Sequence, residues 1–405
     1  MFKKILSILL VLMLVVGLAA CGQQPASNEE QTPAEENNEQ EAPEEESSEE
    51  TASDSGKDEK WKIGIMTGTV VQNEEEYNAA QNVLKEYGEE HIITMTYPPK
   101  FMDEQETTIA NVTSMAADTD VKAIVICQAV PGTSAAIDKA KEIRDDILFI
   151  AGTPGENPDD ISAKADLVLQ MDELAMGKTV PEQAKKQGAK VFIHYSFPRH
   201  MSYPLLAARR DIMEEHCAEI DLEFVDASAP DPTGDAGVSG AQQFILEDVP
   251  RMIEKYGKDT AFFSTNCSMQ VPLISAVLQG GAIYPQPCCP SPYHGFPSAL
   301  GIEIPDEKKG DIDYVIEETR RIIKEKGGEG RFSTWPVPVN MMYIEAGAEY
   351  AKAYIEGETE GKVDLEVLKA KFKEYAETDV QVNMLEEGGK KYDNYFTVLI
   401  DFINY

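Results

Sequence analysis

Apolar runs of three to seven residues recur along the chain, each followed by a small-residue loop and then by a segment whose apolar positions repeat at the helical period. The first runs are Trp61–Met66, Ile92–Thr96, Val121–Cys127, Leu148–Ala151 and Leu167–Leu169, and they read as buried strands. Between and after them the pattern predicts helices over Glu74–Tyr87, Asp103–Ala117, Ser134–Ile143 and Asp172–Gln187. In the first helix Tyr77, Ala80, Val83, Leu84 and Tyr87 share a face, with Asn73 as N-cap and Glu76 three residues on as a capping box. Strands alternating with helices in this way predict βαβ units and a mostly parallel sheet.

The same grammar resumes at Lys190–Met201, where a short buried strand, Lys190–Tyr195, runs into the polar turn Ser196–His200. Beyond it the chain predicts a helix over Tyr203–Cys217, a strand at Leu222–Val225 and a long loop over Asp226–Gly237. A helix over Ser239–Tyr256 follows, broken or bent at Pro250. Thr260–Thr265 reads as a strand, Val271–Leu278 as a helix with Pro272 in its first turn, and Ala282–Tyr284 as a further strand. The proline-dense run Pro285–Pro297 is loop. Helices follow at Asp311–Lys326, Met342–Glu356 and Leu365–Tyr375, with Arg331–Val339 turning back between them, and the aromatic close Tyr395–Ile400 is a strand. The expected fold class is α/β: two Rossmann-like lobes with mostly parallel sheets, residues 61–195 and 196–405, joined by a hinge. Whether the end segment returns to the first lobe stays open. Two such lobes leave a cleft along their strand ends, where open parallel sheets bind ligands.

The beginning of the chain breaks this pattern. Lys3 and Lys4 precede the apolar stretch Ile5–Val16, which is too short for an ordinary spanning helix, and Leu18-Ala19-Ala20-Cys21 has the form of a bacterial lipobox. Residues 1–21 therefore read as a lipoprotein signal peptide with Cys21 as the lipidation position, anchoring the chain to a membrane without a spanning segment. Residues 22–60 carry 14 acids, two lysines and no apolar run; they predict a disordered acidic tether. Residues 61–405 keep a net charge of −26 within a total of −36, a field that disfavours nucleic acid and an electrostatic grip on anionic lipid.

Cys127, Cys217, Cys267, Cys288 and Cys289 remain, an odd number without Cys-x-x-Cys spacing. Spacing thus gives no zinc or iron–sulfur motif, and neither a metal nor another cofactor is expected. Gly64 and Gly68 alone do not make the three-glycine dinucleotide signature, and no Walker-type lysine motif occurs. No nucleophile and base stand in a recognisable catalytic order, so a non-catalytic binding protein is expected.

Three segments, WKIGIMTG from Trp61, GVSGAQQFILEDVPRMIEKYG from Gly237 and TAFFSTNCSMQVPLISAVLQGG from Thr260, together with the order of elements, resemble the type 1 periplasmic binding proteins. More narrowly, the chain resembles an uncharacterised group of bacterial lipoproteins within that superfamily. The resemblance covers residues 61–405 at fold level and implies capture of a small polar molecule for an ABC-type importer. It also matches Asn266 to the asparagine that follows a second-lobe strand in sugar receptors. Cys267 stands next to it, where no Asp follows, and sugar, nucleoside, amino acid and small cofactor all stay open as ligands.

Candidate contacts lie at the C-terminal ends of the strands. In the first lobe they are Thr67, Thr69, Gln72, Gln128, Thr133 and Thr153. The central turn offers Tyr195, Phe197, Arg199, His200 and Tyr203, with Arg199 able either to grip a carboxylate or phosphate or to bridge the hinge. The second lobe adds Asp231, Asp235, Asn266, Ser268, Gln270, Tyr293, His294 and Trp335. The expected partners are a small-molecule ligand, a membrane permease with its ATPase, and the membrane itself through the lipid anchor. The chain is expected to be a monomer on the extracytoplasmic face. A ligand-presenting sensor subunit and a lipid-anchored hydrolase are the alternatives.

Overall fold

The computed structural model describes residues 60–308 and 310–405; the leader, Cys21 and the acidic stretch up to residue 59 lie outside the described residues. The first lobe is built from β1 (Lys62–Thr67), α1 (Glu74–Tyr87), β2 (Ile92–Thr96), α2 (Gln105–Ala117), β3 (Val121–Cys127), α3 (Thr133–Ile143), β4 (Leu148–Gly152), α4 (Pro158–Ser162) and β5 (Leu167–Met171). Its strands pair in parallel in the order β2-β1-β3-β4-β5. Near-continuous apolar runs such as Val121–Cys127, broken only by Lys122, suit this sheet because both faces are covered. Val112, Met115 and Ile137 pack on one face with Ile124 and Ile126, while Ala79 and Val83 pack on the other with Ile63 and Ile65.

The second lobe opens with α5 (Glu173–Lys186), β6 (Val191–Ser196), α6 (Pro204–Glu219), β7 (Glu223–Ser228), α7 (Gly237–Tyr256), β8 (Thr260–Ser264) and α8 (Gln270–Gly280). The parallel sheet β7-β6-β8 is extended by single parallel bridges from Ala261 to Ile283 and from Tyr284 to Phe332. A short α9 (Phe296–Leu300) closes the proline-rich loop, and α10 (Ile312–Glu325) and β9 (Ser333–Thr334) follow. α5 lies along α6. Gly177 permits this close approach, since a Cβ there would sit 2.7 Å from Cβ and Cγ2 of Ile212.

The chain then changes lobes again. α11 (Val339–Ile355) packs against α1 and β3, α12 (Leu365–Ala376) packs on α11, and the hairpin β10 (Gln381–Glu387) and β11 (Lys390–Leu399) joins the first sheet with β11 parallel to β5. Finally β12 (Ile403–Asn404) pairs antiparallel with β9, and Tyr405 is buried among second-lobe residues with Phe296. Three strands of backbone thus connect the lobes: after β5, before α11 and after β11. Both lobes belong to the unit Asp58–Tyr405.

Several expectations are corrected. The strand at Lys190–Tyr195 belongs to the second sheet, not to the end of the first lobe, because β6 pairs on both sides with β7 and β8. Asn73 does cap α1, accepting from the Glu76 amide at 3.5 Å, but the Glu76 carboxylate does not complete a capping box. It accepts instead from Nε2 of Gln128 and Nδ2 of Asn340. The helix containing Pro250 runs from Gly237 to Tyr256, so of the expected break or bend the break is absent. No helix among the described residues is long and apolar enough to cross a membrane.

Candidate functional site

The C-terminal ends of both parallel sheets face one cleft. From the first lobe its wall takes Gln72, Asn73, Tyr97, Phe101, Gln128 and Thr153; from the second it takes Glu173, Arg199, His200, Tyr203, Arg209, Asn266, Ser268 and three cysteines, Cys267, Cys288 and Cys289. The space between these walls is about 110 Å³. A larger groove of about 740 Å³ adjoins it, between α1 and the segment that carries Tyr293 and His294, and Gln72, Asn73, Cys267 and Ser268 line both spaces.

Two guanidinium groups dominate the second-lobe wall. Arg199 donates Nε and Nη2 to the Asp231 carboxylate at 2.8 and 2.9 Å and Nη1 to the Tyr203 hydroxyl at 2.9 Å. Its plane lies near Phe197 and, across the cleft, near Phe101, with ring centroids 5.1 and 5.3 Å away. Arg209 is more deeply placed: Nη1 donates to Glu173, both side chains are buried, and Nε and Nη2 have no partner. Oε1 of Gln170, which also lines the cleft, is unpartnered, while its Nε2 donates to Glu173 at 2.8 Å. Burial pushes the Glu173 carboxyl up despite the opposing charge of Arg209. His200 accepts or donates at Nδ1 with Thr265 Oγ1 at 2.9 Å; burial, with Arg199 alongside, pushes it down to about 3, so it is a neutral imidazole.

Thr153 directly follows β4 with φ +48°, a left-handed conformation uncommon for a β-branched residue. Its Oγ1 donates to Oδ1 of Asn340 at 2.8 Å, and Asn340 reaches on to Glu76. Strain of this kind concentrates at functional sites. The chain of contacts continues through Gln128, whose Nε2 lies 3.2 Å from Glu76 Oε1 and 3.0 Å from the Cys267 sulfur in the opposite lobe.

The thiols form a cluster that no sequence spacing announces. Cys267 Sγ is 3.5 Å from both Cys288 Sγ and Cys289 Sγ, and Cys288 Sγ is 3.7 Å from His294 Nε2. All five described cysteines are free. Hydrogen bonds from the Cys288 and Cys289 thiols hold Cys267 well below the usual thiol range, outweighing its burial. Burial pushes Glu75, beside His294, up to about 7. The expectation of no metal-ligand set rested on spacing; folding brings the set together from the end of β8 and the proline-rich loop, 21 and more positions apart.

Of the residues expected from sequence, Gln72, Gln128, Thr153, Arg199, His200, Tyr203, Asn266 and Ser268 line the cleft, and Tyr293 and His294 line the adjoining groove. The others do not line either space. Thr67 and Thr133 are buried and donate to the Gly68 and Val130 carbonyls, and Thr69 donates to Gln72. Tyr195 is buried with its hydroxyl on Asp248; Phe197 lies beneath Arg199 and His200; Trp335 is fully buried in the core. Asp231 is occupied by Arg199 and Thr233, Asp235 is exposed, and Gln270 bonds the Asn266 carbonyl and the Tyr284 hydroxyl. Glu173, Arg209, Gln170 and the cysteine cluster are absent from the sequence-derived set. The vicinal pair Cys288-Cys289 in a proline-rich loop was the one signal available for the cluster.

Over residues 61–333 the chain matches the model of a family described as protein of unknown function DUF3798. An uncharacterised protein of Treponema pallidum (strain Nichols) is 41% identical over 170 residues, 42% of this chain and 79% of that protein. Among solved structures, one from Clostridium difficile 630, described as a candidate transcriptional regulator, has 25% identity and a TM-score of 0.68, covering 86% of this chain and 99% of that one. An ABC transporter periplasmic solute binding protein from Actinobacillus succinogenes 130z with bound D-allose has 16% identity and a TM-score of 0.51, covering 77% of this chain and all of the other. The fold is that of the two-lobed periplasmic binding proteins.

Proposed function

We propose that this chain, which belongs to the DUF3798 family, is a non-catalytic solute-binding protein that takes an uncharged polar molecule into the cleft between its lobes. The observation that carries the reading is Arg209: a buried guanidinium lining the cleft with Nε and Nη2 unpartnered, which a bound acceptor would satisfy. Gln170 Oε1 offers the complementary acceptor for a ligand hydroxyl or amine. The charges on this wall are already balanced, Arg199 by Asp231 and Arg209 by Glu173, so little attraction is left for an anion. Phe101 and Tyr203 supply aromatic surface for an apolar face. A space of about 110 Å³ is below the range of about 300–1,000 Å³ usual for ligand pockets, so a ligand of ordinary size would fill it with the lobes further apart or extend into the adjoining groove.

Delivery to a membrane permease and its ATPase, and anchoring through lipid on Cys21 at the extracytoplasmic face, complete this reading. The Actinobacillus protein, a transporter component with a bound sugar, supports capture of a solute in this fold only. The regulator description of the Clostridium structure suggests control of transcription, but the net charge of −26 on residues 61–405 opposes contact with nucleic acid. The test is mass spectrometry of small molecules released on denaturing the purified chain, before and after long incubation with them. An unaltered neutral polar compound is the expected result. A carboxylate- or phosphate-bearing ligand would overturn the charge argument, and turnover lost on mutating a cleft residue would make the protein an enzyme.

A further inference from the structure

The cysteine cluster has the dimensions of a metal site. In a tetrahedral zinc site with Zn–S near 2.3 Å and Zn–N near 2.0–2.1 Å, ligand atoms stand roughly 3.5–3.8 Å apart. Cys267 and Cys288 sulfurs are 3.5 Å apart, Cys288 sulfur and His294 Nε2 are 3.7 Å apart, and all three ligand atoms lie within 4.8 Å of one another. We propose that Cys267, Cys288 and His294 bind a thiophilic divalent cation, zinc(II) by geometry, at the boundary between the cleft and the adjoining groove.

The surroundings of the imidazole support this. Metal-bound histidines usually direct their other ring nitrogen at a carboxylate, which fixes the tautomer and ring orientation. Here Nδ1 of His294 is 3.6 Å from Glu75 Oε1, and the other Glu75 oxygen accepts from Ser291 at 2.5 Å. Glu75 Oε1 is buried with no hydrogen-bond partner, so a small rotation of the ring completes the pair. Glu75 comes from α1 in the first lobe, whereas the three ligands come from the second. Once the His294–Glu75 pair closes, the metal site would be linked to the first lobe beside the existing Ser291–Glu75 hydrogen bond. Cys289, 3.5 Å from Cys267 but outside the three-atom set, and the cleft itself flank the fourth coordination position. Binding leaves both sulfurs as thiolates and His294 Nε2 unprotonated, releasing to solvent whatever protons these three atoms carry, with no change of oxidation state.

The test uses the full chain, purified with thiols reduced and without chelator, titrated with cobalt(II) and then with zinc(II). One equivalent of cobalt should give thiolate-to-metal charge-transfer bands with the intense d–d bands of a tetrahedral site, and zinc should displace it. C267S, C288S and H294Q should each weaken binding by more than about 100-fold, and E75Q by about 10–100-fold, each judged on protein whose circular dichroism matches wild type. C217S, in a buried cysteine on α6 away from the cluster, should leave the titration unchanged. A folded, reduced wild-type chain that yields no thiolate–cobalt bands would overturn the proposal, even if every variant misfolds. So would bands that persist in C267S, or a Cys267–Cys288 disulfide that on reduction gains no metal binding.

Discussion

Arg209 on α6 and Glu173 on α5 form a buried ion pair at the floor of the cleft, and the guanidinium keeps two nitrogens free of any partner. One side chain thus serves both stability and recognition, and the two roles can be separated. R209A leaves Glu173 buried without its counter-charge and should cost roughly 3–5 kcal/mol of stability. E173Q/R209M removes both charges and should recover most of it. Neither variant should bind ligand well: losing the charged hydrogen bonds costs roughly 2–5 kcal/mol, at least about 30-fold in affinity. Chemical denaturation and calorimetry with the released ligand check the two effects, and near-normal affinity in the double variant would remove Arg209 from the site.

Glu345 on α11 provides a pH test away from the cleft. Burial, opposed by a 2.9 Å hydrogen bond from Asn82 and reinforced by Glu86, pushes its carboxyl up to about 7. A carboxyl raised above its unfolded value contributes stability that is complete below about pH 4.5 and is lost as the pH climbs through 7. E345Q keeps an acceptor for Asn82 but does not titrate. It should match wild type at pH 4.5 and exceed it at pH 8 by about 1–2 kcal/mol, a value reduced for the half-buried position of the side chain. Parallel stability curves of the two proteins across this range would refute the assignment.

G177A should force α5 and α6 apart. The added Cβ would meet Cβ and Cγ2 of Ile212 at 2.7 Å, and a β-branched side chain cannot rotate its Cβ away. The expected loss is about 1–3 kcal/mol, with partial recovery in G177A/I212A. Thermal unfolding of the four proteins in this cycle measures the coupling, and additive effects would show that the helices are not in contact there.

Cys21 is testable without structure. If Leu18–Cys21 directs lipidation, wild-type protein should enter a detergent phase and C21A should stay aqueous, with the same circular dichroism. Equal partitioning would remove the anchor from the proposed function.

The strands were legible because parallel strands covered on both faces read as near-continuous apolar runs, as residues 123–127 do within β3. β10 was not: at the sheet edge its Gln381–Glu387 alternates polar and apolar residues without β-branched enrichment. Gln128, Thr153 and Asn266 were found because position at a strand end is a topological property that sequence order reveals. Arg209 looked like one more charge on a helix, next to Arg210, and only the packing of α6 against α5 places it in the cleft. His294 was found as an aromatic in a proline-rich loop, but its thiol neighbours depend on the return path of that loop.

The triple connection between the lobes also governs the order in which the molecule can assemble. β5 waits for β11, whose pairing brings residues near Thr397 to residues near Asp172, 225 positions earlier. During synthesis from the N-terminus, the first sheet therefore has an open edge at β5 until residues 395–398 have been made, and Phe296 waits just as long for Tyr405. Contacts so distant along the chain form late and slowly, because loop closure precedes any gain from pairing. Neither lobe is a nucleus that finishes alone, and weakening the β10–β11 hairpin should slow the refolding of both together.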